Sequence, residues 1–146
     1  MGLHRIRLAA RWELRLVTPL AAETETPSSL CKLPFALSDV GAHEAATDSD
    51  TILLSRKFHR PSGLDEFTRV LIGIELDHVG SSASLKTALL NKEALSFSEE
   101  HSASNTVLRL DVTGQLLAFN VLQLQFPVAA SHTSIRLVSV NLMIEE

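Results

Sequence analysis

The chain has 146 residues, of which 45% are hydrophobic and 21% charged, with a formal net charge of −4 at pH 7. This length suits a single domain with its own core, and the composition is too rich in aliphatic residues for a disordered chain. The acidic balance disfavours nucleic acid as a partner, because neutralising phosphates requires clustered Lys and Arg. The densest basic cluster, Arg56, Lys57, His59 and Arg60, lies on one expected strand and is typical of a solvated face.

Cysteine usage and hydropathy bear on the compartment. Cys31 is the only cysteine, so no disulfide can form within the chain, and a reducing, cytoplasmic setting is expected. An export signal needs an uninterrupted apolar stretch, whereas Arg11, Glu13 and Arg15 interrupt the apolar residues near the start. No stretch of the sequence reaches the roughly 20 apolar residues of a membrane-spanning helix. We therefore expect a soluble protein with no membrane partner.

Alternation of apolar and polar residues, the pattern of half-buried strands, begins near the start of the chain. Trp12, Leu14 and Leu16 alternate with charged residues, which places Trp12 in the core or against a sheet. The expected elements in order are strands over 4–8 and 12–16, a polar connection over 18–29, an extended piece over 30–35 and a surface loop over 38–50.

Strand signals recur at short intervals through the rest of the chain. Further strands are expected over 51–59, 69–76, 83–90, 94–97 and 134–144, with a turn at Asn91-Lys92 and a polar loop over 99–104. Two more strands within 105–126 flank a corner, where Asp111 and Thr113 can cap a turn near Gly114 and Asn120 suits a tight turn. Eight or more strands without intervening helices predict an all-β, antiparallel sandwich or barrel.

Several segments follow the order and spacing of motifs in a known family. They are Ala-Arg-Trp-Glu-Leu-Arg at 10–15, Lys-Leu-Pro-Phe at 32–35, Leu-Ser-Arg-Lys-Phe-His-Arg-Pro at 54–61, the strand at 69–79, the hairpin at 86–93, and Asp-Val-Thr-Gly-Gln-Leu-Leu at 111–117 with Asn-Val-Leu-Gln-Leu at 120–124. Together they resemble the N-terminal sugar-binding domain of family 2 glycoside hydrolases, the β-galactosidase and β-glucuronidase group. The resemblance implies one galactose-binding-like jelly roll over residues 1–146.

The resemblance does not imply catalysis, because the family's glycosidic chemistry resides in a barrel domain that this chain is too short to contain. The residues agree. The adjacent acids Asp65-Glu66 and Glu99-Glu100 lie in expected polar loops rather than across a cleft. The serine-rich stretch 80–84 lacks the tight turn of a serine nucleophile, and no phosphate-binding loop occurs. We expect a protein that is not an enzyme and has no cofactor.

Metal binding has little support in the sequence. The six histidines are scattered without the spacing that would place two on one face, so no metal site is expected. Domains of the resembled type often hold a structural calcium ion, and Glu44, Asp48 and Asp50 would offer oxygen ligands in one loop. Cys31 lies in an apolar context and is expected to be a small buried residue.

Two functions stay open. The first is a non-catalytic binding module for a carbohydrate or a partner chain, with Arg56, His59 and Asn91 as the candidate contacts, because Arg and Asn form directed hydrogen bonds with hydroxyl groups. The second is a structural or assembly domain without a small ligand, in which the long final strand, 134–144, pairs with another copy. The absence of Tyr and the single Trp favour the second, since sugars stack on aromatic rings.

Overall fold

The computed structural model describes residues 3–17, 29–37, 51–77, 85, 87–101, 105–127 and 135–145. These residues form strands without any α-helix. The strands are β1 (Leu3–Arg7), β2 (Trp12–Val17), β3 (Ser29–Cys31), β4 (Phe35–Ala36), β5 (Thr51–His59), β6 (Arg69–Asp77), β7 (Thr87–Leu90), β8 (Glu93–Ala94), β9 (Ser98–His101), β10 (Asn105–Asp111), β11 (Phe119–Pro127) and β12 (Arg136–Glu145).

The strands form two antiparallel sheets, which confirms the predicted all-β sandwich. The first sheet has the order β1-β12-β6-β10-β9, with the short β4 also paired to β12. The second has the order β3-β2-β5-β11-β7-β8. Every ladder is antiparallel, as expected for a chain of strands without helical crossovers.

Period-two burial builds the core between the sheets. On β11 every second residue is buried, and β5 pairs with it so that Leu54 lies opposite Leu124. Trp12 is fully buried, as predicted, and its indole Nε1 donates a hydrogen bond to the Leu8 carbonyl at 2.8 Å. The buried indole therefore also ties β2 to the end of β1.

Four expectations about loops and turns meet different outcomes. The prediction of a connection over 18–29 is wrong at Ser29, which begins β3. The prediction of a polar loop over 99–104 is wrong over its first residues, because Ser98–His101 forms β9. The loop 38–50, with the calcium ligands proposed there, and the rest of the 18–28 connection lie outside the described residues. The turn at Asn91-Lys92 is confirmed, with φ of 53° and 71°, the left-handed values that a two-residue hairpin of type I′ requires.

The last strand does not lie at an edge, so the predicted pairing of 134–144 with another copy is wrong. β12 pairs with β6 along its length, and on its other side with β1 over residues 141–145 and with β4 at residues 136–137. Its backbone groups are therefore already used within the sheet. Among the described strands, the sheet edges are β1, β9, β3 and β8. Within the described residues, no helix is long and apolar enough to cross a membrane.

Candidate functional site

Two segments meet at one end of the sandwich, where β5 ends and β11 begins. One is the β5–β6 loop, residues 60–68, and the other is the β10–β11 corner, residues 112–118. The Arg60 amide donates to the Ala118 carbonyl at 3.1 Å, and the Val112 amide donates to the Val70 carbonyl at 3.0 Å. These backbone bonds fix the two segments against each other, although they are far apart in sequence.

The corner is held by side chains that the sequence indicates only in part. The Thr113 amide donates to Asp111 Oδ1 at 3.0 Å, which confirms the predicted capping by Asp111. The Thr113 hydroxyl instead accepts a bond from the Val70 amide at 3.0 Å, and so joins the corner to β6. Gly114 follows with φ of 76°, a conformation that favours glycine. The corner is therefore anchored to β6 rather than capped only within itself.

A cavity of about 470 Å³ opens between the two segments. His59 and Phe119, which are opposite each other on β5 and β11, line it together with Arg60, Leu64 and Leu116. This volume lies within the usual range for ligand pockets, roughly 300–1,000 Å³. We call these five residues and the cavity they line the loop-end site.

Phe119 gives the loop-end site an accessible aromatic ring. The residue is 73% exposed, so its ring is accessible to a ligand. The His59 ring packs edge-on against it, with ring centroids 4.8 Å apart and an angle of 60° between the planes. This contact steadies the ring while leaving much of it open. An exposed, steadied aromatic ring beside polar groups is a surface on which a sugar ring can stack.

A second, smaller cavity of about 180 Å³ adjoins the first. Arg60, Leu64 and Leu116 line both, while Asp65 and Thr68 line only the second. Asp65 Oδ1 accepts bonds from the Phe67 amide at 2.8 Å and the Thr68 hydroxyl at 2.9 Å. The bond from the Phe67 amide, followed by that from Thr68, lowers the pKa of Asp65. The carboxylate is therefore oriented and ionised at neutral pH.

Of the three predicted contact residues, only His59 lines the loop-end site. Arg56 lies on the inward-facing side of β5 with Ile52, Leu54 and Phe58, so the expectation that it belongs to a solvated face is wrong. Its Nη1 donates to the Lys57 carbonyl, and its buried Nε has no partner within the described part of the chain. Burial, with a smaller effect of Arg11, lowers the pKa of Arg56.

Asn91 is engaged inside the fold. Its Nδ2 donates to Asn120 Oδ1 at 3.0 Å, and its Oδ1 accepts from the Val121 amide at 2.9 Å. The sequence predicted a tight turn at Asn120. The residue is instead buried near the start of β11. Its Oδ1 accepts from the Leu117 amide at 2.8 Å and its Nδ2 donates to the Leu117 carbonyl at 2.9 Å. The two amides join the hairpin turn to the corner.

Sequence reasoning missed Phe119 and Arg60 as members of the site. A signal for Phe119 was available, because Val121 and Gln123 share its side of β11, opposite the side of the buried Leu122. That alternation predicts an outward-facing ring. Arg60 carried no such signal, since its position depends on the fold bringing a loop and a corner together.

The described residues contain no cluster suited to a metal ion. Asp65 and Glu66 are exposed on one loop, and Glu100 on β9 pairs with Arg109 at 2.7 Å. No group of three or more His, Cys, Asp or Glu side chains able to hold a metal ion occurs within the described ranges. The Cys31 thiol is half-buried, and burial raises its pKa.

The fold and the loop-end site define an all-β protein with two antiparallel sheets and an aromatic pocket at one end. Comparison with known proteins gives no matching family model and no matching curated protein. The structure is similar to a solved one, the FMN-binding β-glucuronidase from Facaelibacterium prausnitzii L2-6, with a TM-score of 0.62 and 18% identity. The match covers 97% of this chain and 22% of that one, so the chain spans about a fifth of the glucuronidase.

This match agrees with the resemblance in the sequence, since a β-glucuronidase belongs to the group that the motifs resemble. At 18% identity it shows a shared fold. The jelly-roll arrangement of the galactose-binding type stays a prediction.

Proposed function

We propose that this chain is a non-catalytic carbohydrate-binding module and that its ligand binds at the loop-end site. The observation that carries the proposal is the exposed Phe119 ring, steadied by His59 at the mouth of a 470 Å³ cavity. The likeness of the fold to part of a β-glucuronidase supports a carbohydrate-related role. Phe119 supplies the aromatic ring in a chain that has no Tyr and whose single Trp is buried.

The remaining side chains suit the recognition of a sugar. A pyranose ring presents apolar C–H groups on one face and hydroxyl groups around its rim. Phe119 offers the apolar contact, while His59 and Arg60 offer hydrogen-bond partners at the edge of the cavity. The Arg60 guanidinium forms no hydrogen bond or ion pair with another residue in the described portion, so its five N–H donors are open to a ligand.

The proposal is tested with a glycan array, followed by calorimetric titration of the best ligand. Phe119→Ala is expected to weaken binding at least about tenfold, which corresponds to the loss of one stacking contact. Phe67→Ala is the matched control, because Phe67 is 84% exposed on the β5–β6 loop but does not line either cavity. Binding to no glycan, or equal effects of the two substitutions, would contradict the proposal.

A second candidate function, protein assembly, is favoured by the edge strand β1. All five residues of β1 are exposed, including Leu3 and Ile6, and one side of the strand pairs with β12 while its other side pairs with none of the described strands. Arg5 and Arg7 share one face of β1. Full-length antiparallel pairing of two β1 strands would place Arg5 opposite its own copy, which is unfavourable. The partner in this case is an extended segment with acidic residues at alternate positions.

Light scattering and a pull-down with a designed acidic strand peptide test this second candidate. Arg5→Glu with Arg7→Glu is expected to abolish capture of an acidic peptide and to permit capture of its basic counterpart. The charge-reversed control on another strand is Arg109→Glu, because Arg109 already pairs with Glu100. Absence of capture by the native chain at low salt would refute assembly through β1.

A further inference from the structure

We infer that the loop-end site has two adjoining subsites and recognises at least two linked sugar rings, one on Phe119 and the next beside Asp65. This inference rests on the proposed function, because it names the ligand class of the same site. It adds a specificity-determining residue, Asp65, to the residues that line the main cavity.

The two cavities share three lining residues. Arg60, Leu64 and Leu116 line both the 470 Å³ and the 180 Å³ cavity, so a ligand that fills the first can extend past these three side chains into the second. Leu64 and Leu116 are half-buried and pack against the core. These two leucines therefore offer an apolar contact for the face of a second ring, beside the charged Arg60 side chain.

The chemistry of the second cavity differs from that of the first. It has no aromatic lining residue, but it holds the Asp65 carboxylate and the Thr68 hydroxyl. Asp65 Oδ1 is occupied by the Phe67 amide and by Thr68, which fixes the carboxylate plane. Asp65 is exposed, so its carboxylate oxygens can also accept hydrogen bonds from sugar hydroxyls.

Arg60 lies where the two cavities meet, with its backbone held by Ala118. From this position its guanidinium can donate to oxygens of both rings, including the bridging glycosidic oxygen. Gly114, at the far side of the second cavity, has only open space where a side chain would begin. The second cavity is therefore open at that side, and the site accepts an inner or a terminal ring there.

The test is a titration series with the mono-, di- and trisaccharide of the sugar identified on the array. We expect the disaccharide to bind about tenfold more tightly than the monosaccharide, with little further gain for the trisaccharide. Asp65→Asn is expected to reduce the disaccharide affinity more than the monosaccharide affinity, so that the gain is lost. Glu66→Gln is the matched control, because Glu66 is the adjacent exposed acid and lines neither cavity.

A second measurement does not depend on a variant. In amide chemical-shift mapping, the signals of Thr68 and Gly114 are expected to move with the disaccharide and to stay in place with the monosaccharide. Equal affinity of the two ligands, or equal loss of both in Asp65→Asn, would overturn the two-subsite inference while leaving the carbohydrate-binding proposal standing. Failure of every saccharide to bind would overturn both.

Discussion

Replacing Asn120 with alanine tests the junction between the hairpin turn and the corner. The Asn120 side chain is 1% exposed and makes three hydrogen bonds of 3.0 Å or less, two with Leu117 and one with Asn91. A fourth, to the Phe58 carbonyl, is long at 3.5 Å and contributes little. Each ordinary hydrogen bond contributes about 1 kcal/mol net, and partners left buried and unpaired add to the loss. Asn120→Ala is therefore expected to lower the free energy of unfolding by about 2–4 kcal/mol.

The assay is urea denaturation followed by the fluorescence of Trp12, the single tryptophan, which is fully buried in the native state. The midpoint is expected to fall with little change in the slope. Gln123→Ala is the matched control, because it removes an amide from the outward-facing side of the same strand and should change stability by less than about 0.5 kcal/mol. If the two substitutions have the same effect, the buried amide pair does not hold the corner.

Three further predictions concern other parts of the fold. The pKa of Asp65 is lower in the folded state, so its contribution to the free energy of unfolding is present above the unfolded value of 3.8 and is lost as the pH falls through the folded pKa. Acid titration compares Asp65→Asn with Glu66→Gln. Below about pH 4, Asp65→Asn should lose stability less steeply with falling pH. Val140→Pro should lower the free energy of unfolding by about 3 kcal/mol or more, measured by urea denaturation, because β12 is paired on both sides. A small decrease would contradict the central position of β12. Cys31 should react with a thiol reagent much more slowly in the native protein than in urea, because burial raises its pKa; equal rates would contradict this.

The sequence predicts the fold class because period-two alternation reports burial directly. Val70, Ile72, Ile74 and Leu76 occupy every second position, and all four are buried on β6, which spans Arg69–Asp77. The strand β9 was missed because Ser-Glu-Glu-His is polar, and an edge strand held by backbone bonds need not carry an apolar face. The place of β12 in the middle of its sheet could not be read from the sequence, since alternation shows that a strand is buried but not which strands flank it.

The candidate site was less predictable for a related reason. His59 was found from its residue type, but the cavity exists only because the fold brings the β5–β6 loop onto the β10–β11 corner. Asn91 has the right chemistry for a sugar contact, yet its amide is used by Asn120 and Val121. Arg56 could have been read correctly, because it shares its strand face with Leu54 and Phe58. Residue type suggests a contact, and only the partners of each atom show whether the residue is available.

The central place of β12 has a consequence for the synthesis of the protein. The second neighbour of β6 lies seventy residues later in the chain where Leu142 pairs with Ile72, so the ribosome makes it much later. Until then β6 pairs on one side only, with β10, and its other side presents an open, aliphatic strand edge, the type of surface that chaperones protect. Pairing over such separations also makes folding slow. We therefore expect the second sheet to form first and the sheet of β12 to close only after translation has passed residue 145.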